Sequence, residues 1–262
     1  MGAQPNSTVD QSNSFEKNVS QSPSLLSGSL FGTIAQAIAQ RGQDPKPFHL
    51  DPLSGALAGK AVLRVETAQN GKVAFSPRLL LSTWESRPEA VTGLDLSDVQ
   101  GNSFQFLRGI SRCELVYLCG TNLKQGDLSA LEDWDKLQVL HVDRTSITSL
   151  APVAGLPIRI LTADETKITS LEPYSQNPAP ASLFIAKTLV SDLSPLAGSE
   201  TLEVLDISGS QVTSVEALMD CSRLRMLFVH KDQIPPEVID RLRTSHPKLQ
   251  IIEEALAKEA KE

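Results

Sequence analysis

Apolar residues recur at a nearly constant period over most of the chain after residue 90. Leu140, Leu161, Leu183, Leu205 and Leu227 follow one another at spacings of 21, 22, 22 and 22 residues. Around each of these leucines, apolar positions are separated by one other position, which is the period of a short β-strand. Because a single unit of this kind cannot bury its own apolar side, we expect the units to stack on one another. The pattern therefore predicts a repeat protein.

After each strand, the sequence predicts a turn and a short return segment. A hydroxyl residue lies three positions after the second apolar residue of the strand, where its oxygen can satisfy backbone groups of the turn. These residues are Thr145, Thr166, Thr188 and Ser210. The return segment contains further apolar residues, and a proline prevents a long helix there in three of the units. The prolines are Pro152, Pro173 and Pro195.

One full unit, from Leu202 to Leu224, reads LEVLDISGSQVTSVEALMDCSRL. It resembles a leucine-rich repeat of the 22-residue intracellular type, and it is similar to units of kinetoplastid leucine-rich repeat proteins. In that type Asn commonly holds the turn position at which this chain has Thr or Ser. The resemblance implies an α/β fold. It would be a leucine-rich repeat solenoid with a curved parallel β-sheet on the concave face and helical N-terminal and C-terminal caps.

The repeats are expected to span residues 91–252. Leu94 matches the template, and Val116 follows it by 22 residues. The distance from Val116 to Leu140 is 24 residues, and we expect the two extra residues between positions 124 and 127.

The last repeat differs from the others. In the seventh repeat, prolines precede a predicted helix from Glu237 to Arg243. Leu249 and Ile251 then predict a last edge strand, and residues 253–262 predict a short polar helical tail that protects this edge.

The residues before position 91 have a different composition. Residues 1–24 are rich in Ser, Asn and Gln, which predicts a disordered tail. Residues 25–90 are interpreted as an N-terminal helix and hairpin cap, with the hairpin turning at Asn70-Gly71. The helix either covers the open end of the solenoid or detaches to bind the groove of a partner. Its apolar face is predicted from a four-residue spacing of Leu26, Leu30, Ile34 and Ile38.

Charge and cysteine content restrict the class of partner and the compartment. Lys and Arg number 24 and Asp and Glu 31, giving a net charge of −7, which disfavours binding to nucleic acid or to an anionic membrane. No apolar run predicts a signal peptide or a membrane span. Three cysteines without paired spacing favour a reducing intracellular location, cytoplasmic or cytoskeletal. Cys113 and Cys221 are expected in the core, and Cys119 is expected to face solvent.

Residues typical of catalytic or metal sites are not arranged in a recognisable motif. The four histidines have no partners at metal-ligand spacing, and neither a phosphate-binding loop nor a nucleophile elbow occurs. We therefore expect no enzyme activity, no cofactor and no metal. Asp143 and Asp164 fall on adjacent strands, where paired carboxylates could perform acid–base chemistry, but a solvated acidic patch is the simpler interpretation.

The best candidate site is a column of residues between the two inward apolar positions of each strand. Because strand side chains alternate in direction, this column is expected to be exposed on the concave face. It comprises Asp95, Tyr117, His141, Thr162, Phe184, Asp206 and Phe228. From it and from a column of basic residues at the turns, we predict that the partner-binding residues are Tyr117, His141, Phe184, Phe228, Arg144, Lys187 and Lys231. The alternative is that the N-terminal tail or a cap covers the column.

The sequence thus favours a non-catalytic protein–protein interaction module that presents a concave surface to a protein partner. A structural subunit of a large multiprotein assembly is the alternative. A substrate-specifying adaptor or a phosphatase regulator would need a recruitment motif, which we do not find in the chain. We expect a protein partner and membership of a larger complex, without nucleic acid or membrane.

Overall fold

The computed structural model describes residues 61–64, 91–100, 103–110, 113–124, 128–178 and 180–254. The chain divides into two units, Met1–Gly59 and Lys60–Glu262, and all of these residues lie in the second unit. Several predicted features lie outside the described residues. They are the tail of residues 1–24, the N-terminal helix, the Asn70-Gly71 turn, the insertion near residues 125–127, and residues 255–262 of the C-terminal tail.

The described residues form one sheet of nine parallel strands, and the order of the strands in the sheet is their order in the chain. Leu140, Leu161, Leu183, Leu205 and Leu227 are successive Cα partners across this sheet, which confirms the predicted register. The strands are β1 Ala61–Arg64, β2 Val91–Asp95, β3 Leu115–Tyr117, β4 Val139–His141, β5 Ile160–Thr162, β6 Ser182–Phe184, β7 Val204–Asp206, β8 Met226–His230 and β9 Gln250–Glu254.

The two edges of the sheet differ from the prediction. Strand β1, assigned from the sequence to a hairpin whose turn and second strand lie outside the described residues, pairs in parallel with β2, with Leu63 opposite Leu94. Within the described residues, the sheet therefore begins one strand before residue 91. The sequence did not predict this pairing, because an alternating pattern indicates a strand but not its neighbour in the sheet. At the other edge, β9 is present as predicted but continues through Glu253 and Glu254, the first two residues of the expected helical tail.

Short 3₁₀ helices carry the chain back between strands. They are Gln105–Gly109, Ser129–Leu131, Ala151–Val153, Glu172–Gln176, Ser194–Leu196 and Glu216–Leu218. Three of them have a proline in their first turn, as the sequence predicted. The seventh repeat instead returns through an α-helix, Pro236–Ser245, which contains the predicted helical residues and begins with proline. A proline at a helix start does not remove an intrahelical hydrogen bond, because that N–H has no acceptor within the helix.

Hydroxyl side chains close the turns after the strands, as predicted. The oxygen of each donates to a backbone carbonyl three residues earlier at 2.7 to 2.8 Å. The residues are Thr145, Thr166, Thr188 and Ser210. Successive coils are joined nearby by backbone hydrogen bonds, for example from Lys167 N to Ile147 O at 3.0 Å. The hydroxyls therefore fix the shape of each coil, while the backbone links one coil to the next.

A continuous apolar core lies between the sheet and the return segments. It includes Leu94 near one end and Leu242 of the α-helix near the other. Cys113 and Cys221 are fully buried in it, which confirms their predicted position. The Trp134 ring is also buried, and its Nε1 donates to Leu107 O of the preceding coil at 3.3 Å.

Replacing Leu205 by Ala should lower the free energy of unfolding by about 2–5 kcal/mol, because it removes a buried side chain shared between coils. Leu189 is 45% exposed and provides a matched control. The change Leu189→Ala should alter the free energy of unfolding by no more than about 0.5 kcal/mol. Denaturant unfolding of both variants measures the difference, and equal losses would contradict the assigned register.

Candidate functional site

The candidate site is the face of the sheet that points away from the core, which is the concave face of the solenoid. In a three-residue strand such as β7, the middle residue, Leu205, points into the core, and its two neighbours, Val204 and Asp206, point to the concave face. Two columns of side chains result. The first column is Leu115, Val139, Ile160, Ser182, Val204 and Met226, and the second is Asp95, Tyr117, His141, Thr162, Phe184, Asp206 and Phe228.

The side chains of the second column are buried, and the expectation that they are exposed is wrong. Tyr117, Phe184 and Phe228 are 6%, 1% and 0% exposed, and His141 is buried as well. None of these four belongs to the apolar core between the sheet and the return segments. The alternative interpretation, in which the N-terminal tail or a cap covers the column, concerns residues that lie outside the described part of the chain. The role of the second column in binding a partner stays a prediction.

The first column was missed by the analysis of the sequence. Leu115, Val139, Ile160, Val204 and Met226 are all buried and lie outside the core cluster. The signal was present in the strands, which read as nearly continuous apolar runs such as VLHV and MLFV. Such runs are typical of parallel strands whose two faces are both buried. The sequence prediction used only every second apolar residue of each strand. It therefore placed one face of the sheet in the core and missed that the other face is apolar as well.

A polar network crosses the middle of the concave face. The Tyr117 and His141 rings are stacked with centroids 4.5 Å apart. His141 Nδ1 lies 2.9 Å from Thr162 Oγ1, and this hydroxyl donates to the Asp143 carboxylate. Because the single hydroxyl proton is directed at Asp143, Thr162 accepts from His141, and the imidazole carries a proton on Nδ1. The network orients the His141 ring flat against Tyr117.

The carboxylates at the ends of the strands bind backbone amides. Asp143 Oδ1 accepts from Asp164 N at 2.8 Å, and Asp164 Oδ1 accepts from Ala186 N at 2.7 Å. Each of these aspartates therefore attaches its own coil to the next one. These contacts give the two carboxylates a structural role, which is neither the acid–base chemistry nor the solvated acidic patch considered from the sequence.

Cys119 is buried beside one of these aspartates, and the expectation that it faces solvent is wrong. Its Sγ donates to Asp143 Oδ2 at 3.2 Å. Burial, together with the neighbouring Asp143 carboxylate, raises the pKa of the Cys119 thiol well above its ordinary value. The thiol is therefore held in its protonated, unreactive form.

The turns after the strands carry a column of residues with left-handed backbone conformation. Arg144 and Lys187 occupy equivalent positions in it, each with φ of 55°. Lys231 does not, because β8 is longer and the equivalent position is Asp232 with φ of 62°. The full column is Asp98, Gly120, Arg144, Glu165, Lys187, Gly209 and Asp232. The prediction that all three basic residues share one column is therefore wrong for Lys231.

The two basic residues of this column are engaged in ion pairs with acidic residues of the same column. Arg144 Nη2 lies 3.7 Å from Asp98 Oδ1, and Lys187 Nζ lies 2.9 Å from Glu165 Oε1. The Lys187–Glu165 pair is accessible to solvent and contributes little to stability, whereas the Nη2 atom of Arg144 is buried. They leave the rim of the concave face with alternating charges rather than a basic strip.

The described part of the chain contains neither a metal-binding cluster nor a membrane-spanning helix. No group of three or more His, Cys, Asp or Glu side chains in that part could hold a metal ion. Within the same residues, every helix is too short or too polar to cross a membrane.

Comparison with known proteins identifies the fold. No protein-family model and no curated protein matches the chain. Among solved structures, internalin C2 of Listeria monocytogenes is 25% identical with a TM-score of 0.50, and the match covers 53% of this chain and 62% of that one. An internalin (inlF) of Listeria monocytogenes is 24% identical with a TM-score of 0.58, covering 68% of this chain and 54% of that one.

The chain thus spans between about half and three fifths of the length of these solved structures. The nine parallel strands and short helical returns confirm the predicted fold class, a leucine-rich repeat solenoid. The 22-residue intracellular type and the similarity to kinetoplastid proteins stay predictions.

Alkylation of Cys119 should be slow in the folded protein, because the thiol is buried and its pKa is raised. The test uses a chain in which Cys113→Ala and Cys221→Ala leave Cys119 as the single cysteine. The exposed control is a chain in which all three cysteines are replaced by Ala and Leu189→Cys supplies the single thiol. At pH 8 we expect iodoacetamide to react with Cys119 at least about tenfold more slowly than with the control, since each pKa unit lowers the thiolate fraction about tenfold. Equal rates would show that the concave face is open at this position.

Proposed function

We propose that this chain is a non-catalytic protein-interaction module and that its concave face is the surface that binds a protein partner. One observation carries the proposal. Eight large apolar side chains, in two columns on adjacent strands, lie on the side of the sheet opposite the core. They are Leu115, Val139, Ile160, Val204, Met226, Tyr117, Phe184 and Phe228.

Such a face is unstable in water. Burying a single Val, Leu, Phe or Met side chain is worth about 1.5–3 kcal/mol, so eight of them make a strong driving force for covering the face. Solenoid stability alone does not require these residues to be apolar, since the core on the other side of the sheet is continuous without them. An apolar face becomes a binding surface where it is exposed, so the proposal requires a partner to replace the present cover of this face.

The class of fold supports the same proposal. The solved structures similar to this chain are leucine-rich repeat proteins, which as a class are generally interaction modules without enzymatic activity. The described residues carry no cluster that would hold a metal, and the carboxylates that could act as acid and base instead accept backbone N–H groups. We therefore propose that the chain has no enzymatic role.

Binding at this face requires a change in what covers it. The apolar side chains are buried in the folded chain by itself, so a partner reaches them only by displacing the residues that cover them. Displacement lowers the net affinity, because the free energy of the original contacts is lost when the partner binds. The partner must therefore offer a surface that fits the face better than its present cover.

The burial of the concave face also favours a second candidate function, a structural subunit of a large assembly. In that case the face stays covered, and the partners contact other parts of the chain. The three cysteines are all unpaired and buried, which supports an intracellular, reducing location for either function, and we retain the cytoplasm or cytoskeleton as the proposed compartment.

The double variant Phe184→Ala, Phe228→Ala should lose the principal protein partner in a pull-down from native extract, because it removes two of the three aromatic rings of the apolar face. Both rings are buried, so the double variant also loses unfolding free energy, and a denaturant unfolding curve establishes that it is folded before the pull-down. The control is Leu189→Ala, an exposed leucine outside the sheet, which should retain the partner. A folded double variant that retains every partner would favour the structural subunit.

A further inference from the structure

We propose that strand β9 binds an extended segment of a protein partner as an additional strand of the sheet, and that this segment carries a Lys or Arg between apolar residues. We call Ile251, Ile252 and Glu253 of this strand the edge site. The edge site lies at the end of the sheet, beyond the last residues of the two columns of the concave face. The inference therefore goes beyond the proposed function.

Backbone groups of this sheet bond to the neighbouring strands in a fixed alternation. One residue directs its N–H and its C=O to the preceding strand, and the next residue directs both to the following strand. In β6, Ser182 N donates to Arg159 O of the preceding coil at 2.9 Å. The residue before it, Ala181, accepts from Val204 N of the following coil at 3.1 Å. The alternation therefore shows which backbone groups of the last strand face outward.

In β9 the same alternation leaves Ile251 and Glu253 facing outward. Gln250 N donates to Arg225 O at 2.8 Å, which places Gln250 and Ile252 among the residues that bond to β8. The N–H and C=O groups of Ile251 and Glu253 point away from β8, and no residue in the described part of the chain bonds to them. Four backbone groups are thus available in the plane of the sheet for another strand.

The two isoleucines of the edge site leave apolar surface beside these backbone groups. Ile251 packs against the core, and Ile252 lies next to Phe228 on the other face of the sheet. Both isoleucines are only half-buried, whereas their partners on β8, Leu227 and Phe228, are fully buried. An added strand would complete the burial of both isoleucines if it placed apolar residues beside them.

A groove of about 400 Å³ beside Glu253 favours a basic residue in the added strand. Arg243 Nη1 lies 3.5 Å from Asp240 Oδ1, but Asp232 and Glu253 form no ion pair within the described residues. A Lys or Arg can cover apolar surface with its stem while its charge reaches Glu253. The side chains that line the groove include Ile234, Ile239, Asp232, Asp240, Arg243 and Glu253.

The charge of the edge also indicates which kind of chain occupies it. A second copy of this chain would bring an identical acidic strand to the edge, and the two sets of carboxylates would repel each other. A basic segment of another protein instead neutralises Glu253, and the net charge of −7 attracts such a segment over a longer range. The edge site therefore fits a different, basic partner better than a second copy.

Peptide selection on the full chain tests the proposal. The probe is a phage-displayed library of random nine-residue peptides, which span about 30 Å when extended and cover the length of β9. Peptides that also bind the Glu253→Pro variant are discarded, because proline removes the outward N–H and leaves the hydrogen bonds to β8 in place. We expect the remaining peptides to carry a Lys or Arg between apolar residues. Their affinity should fall at least about tenfold with Glu253→Arg, which keeps the N–H and reverses the charge.

Two matched variants and a modified peptide serve as controls. Glu132→Arg makes the same charge change at an exposed residue of an early coil, and Phe184→Ala alters the concave face three strands away from β9. Both should leave the affinity unchanged, and unfolding curves establish that every variant is folded. Methylating the backbone nitrogens of alternate peptide residues should abolish binding in one alternation and spare it in the other, because an added strand uses every second N–H.

Three results would overturn the proposal. If every selected peptide tolerates Glu253→Pro, the edge does not bind a strand, and the concave face stands as the proposed binding surface. Peptides that depend on the edge but lack a basic residue would remove the role given to Glu253. A dimer in sedimentation experiments that Glu253→Pro dissociates would assign the edge to a second copy of this chain.

Discussion

The register of each coil is fixed at the turn that follows its strand, and the assignment of side chains to the two faces of the sheet depends on it. In strands whose two faces are both apolar, the hydrophobic pattern alone specifies register weakly, because a shift of one residue exchanges one apolar face for another. The turn removes this ambiguity. Thr166, for example, donates to Ala163 O, and the preceding Glu165 takes a left-handed conformation with φ of 56°. These two features set which strand residue points into the core.

In the seventh coil the strand is longer, and the turn that follows it begins one residue later. Strand β8 is longer than β7, and the left-handed residue moves one position along, to Asp232. Gln233 then takes over the role of the turn hydroxyl. Its Nε2 donates to Ile207 O at 2.9 Å in the preceding coil, and its Oε1 accepts from His230 N at 2.9 Å. The longer amide reaches across to the neighbouring coil, whereas a hydroxyl closes only its own turn.

The fold could be predicted from the sequence because its signals are periodic. Leucines at a constant spacing, turn hydroxyls and prolines in the return segments each recur, so a chance match at one position does not alter the interpretation. Features that occur once were predicted less well. The pairing of β1 could not be predicted, because a strand pattern does not specify a partner, and the position of Lys231 could not, because the extra residue in β8 leaves no mark in the apolar pattern.

The candidate site was predicted in part, and the reason lies in the strand. The direction of Tyr117, Phe184 and Phe228 followed from alternation, but their burial did not, since alternation gives direction and not the presence of a covering layer. The apolar residues of the first column were the signal in the sequence that this face is buried. With Leu115 and Val139 next to Tyr117 and His141, the concave face is apolar over two columns, and an apolar face of that width is not stable in water.

Under the proposed function, the two columns of the concave face would contribute differently, the first mainly to affinity and the second mainly to specificity. The first column is almost entirely aliphatic and supplies contact area without direction. The second alternates aromatic rings with His141, Thr162 and Asp206, whose hydrogen bonds and charge require matching groups. A buried polar group left unmatched is more unfavourable than a matched one is favourable, so the second column rejects wrong surfaces more strongly than it attracts the right one. Because the side chains of both columns lie outside the core cluster, changes in either column can alter the concave face while the solenoid core is retained.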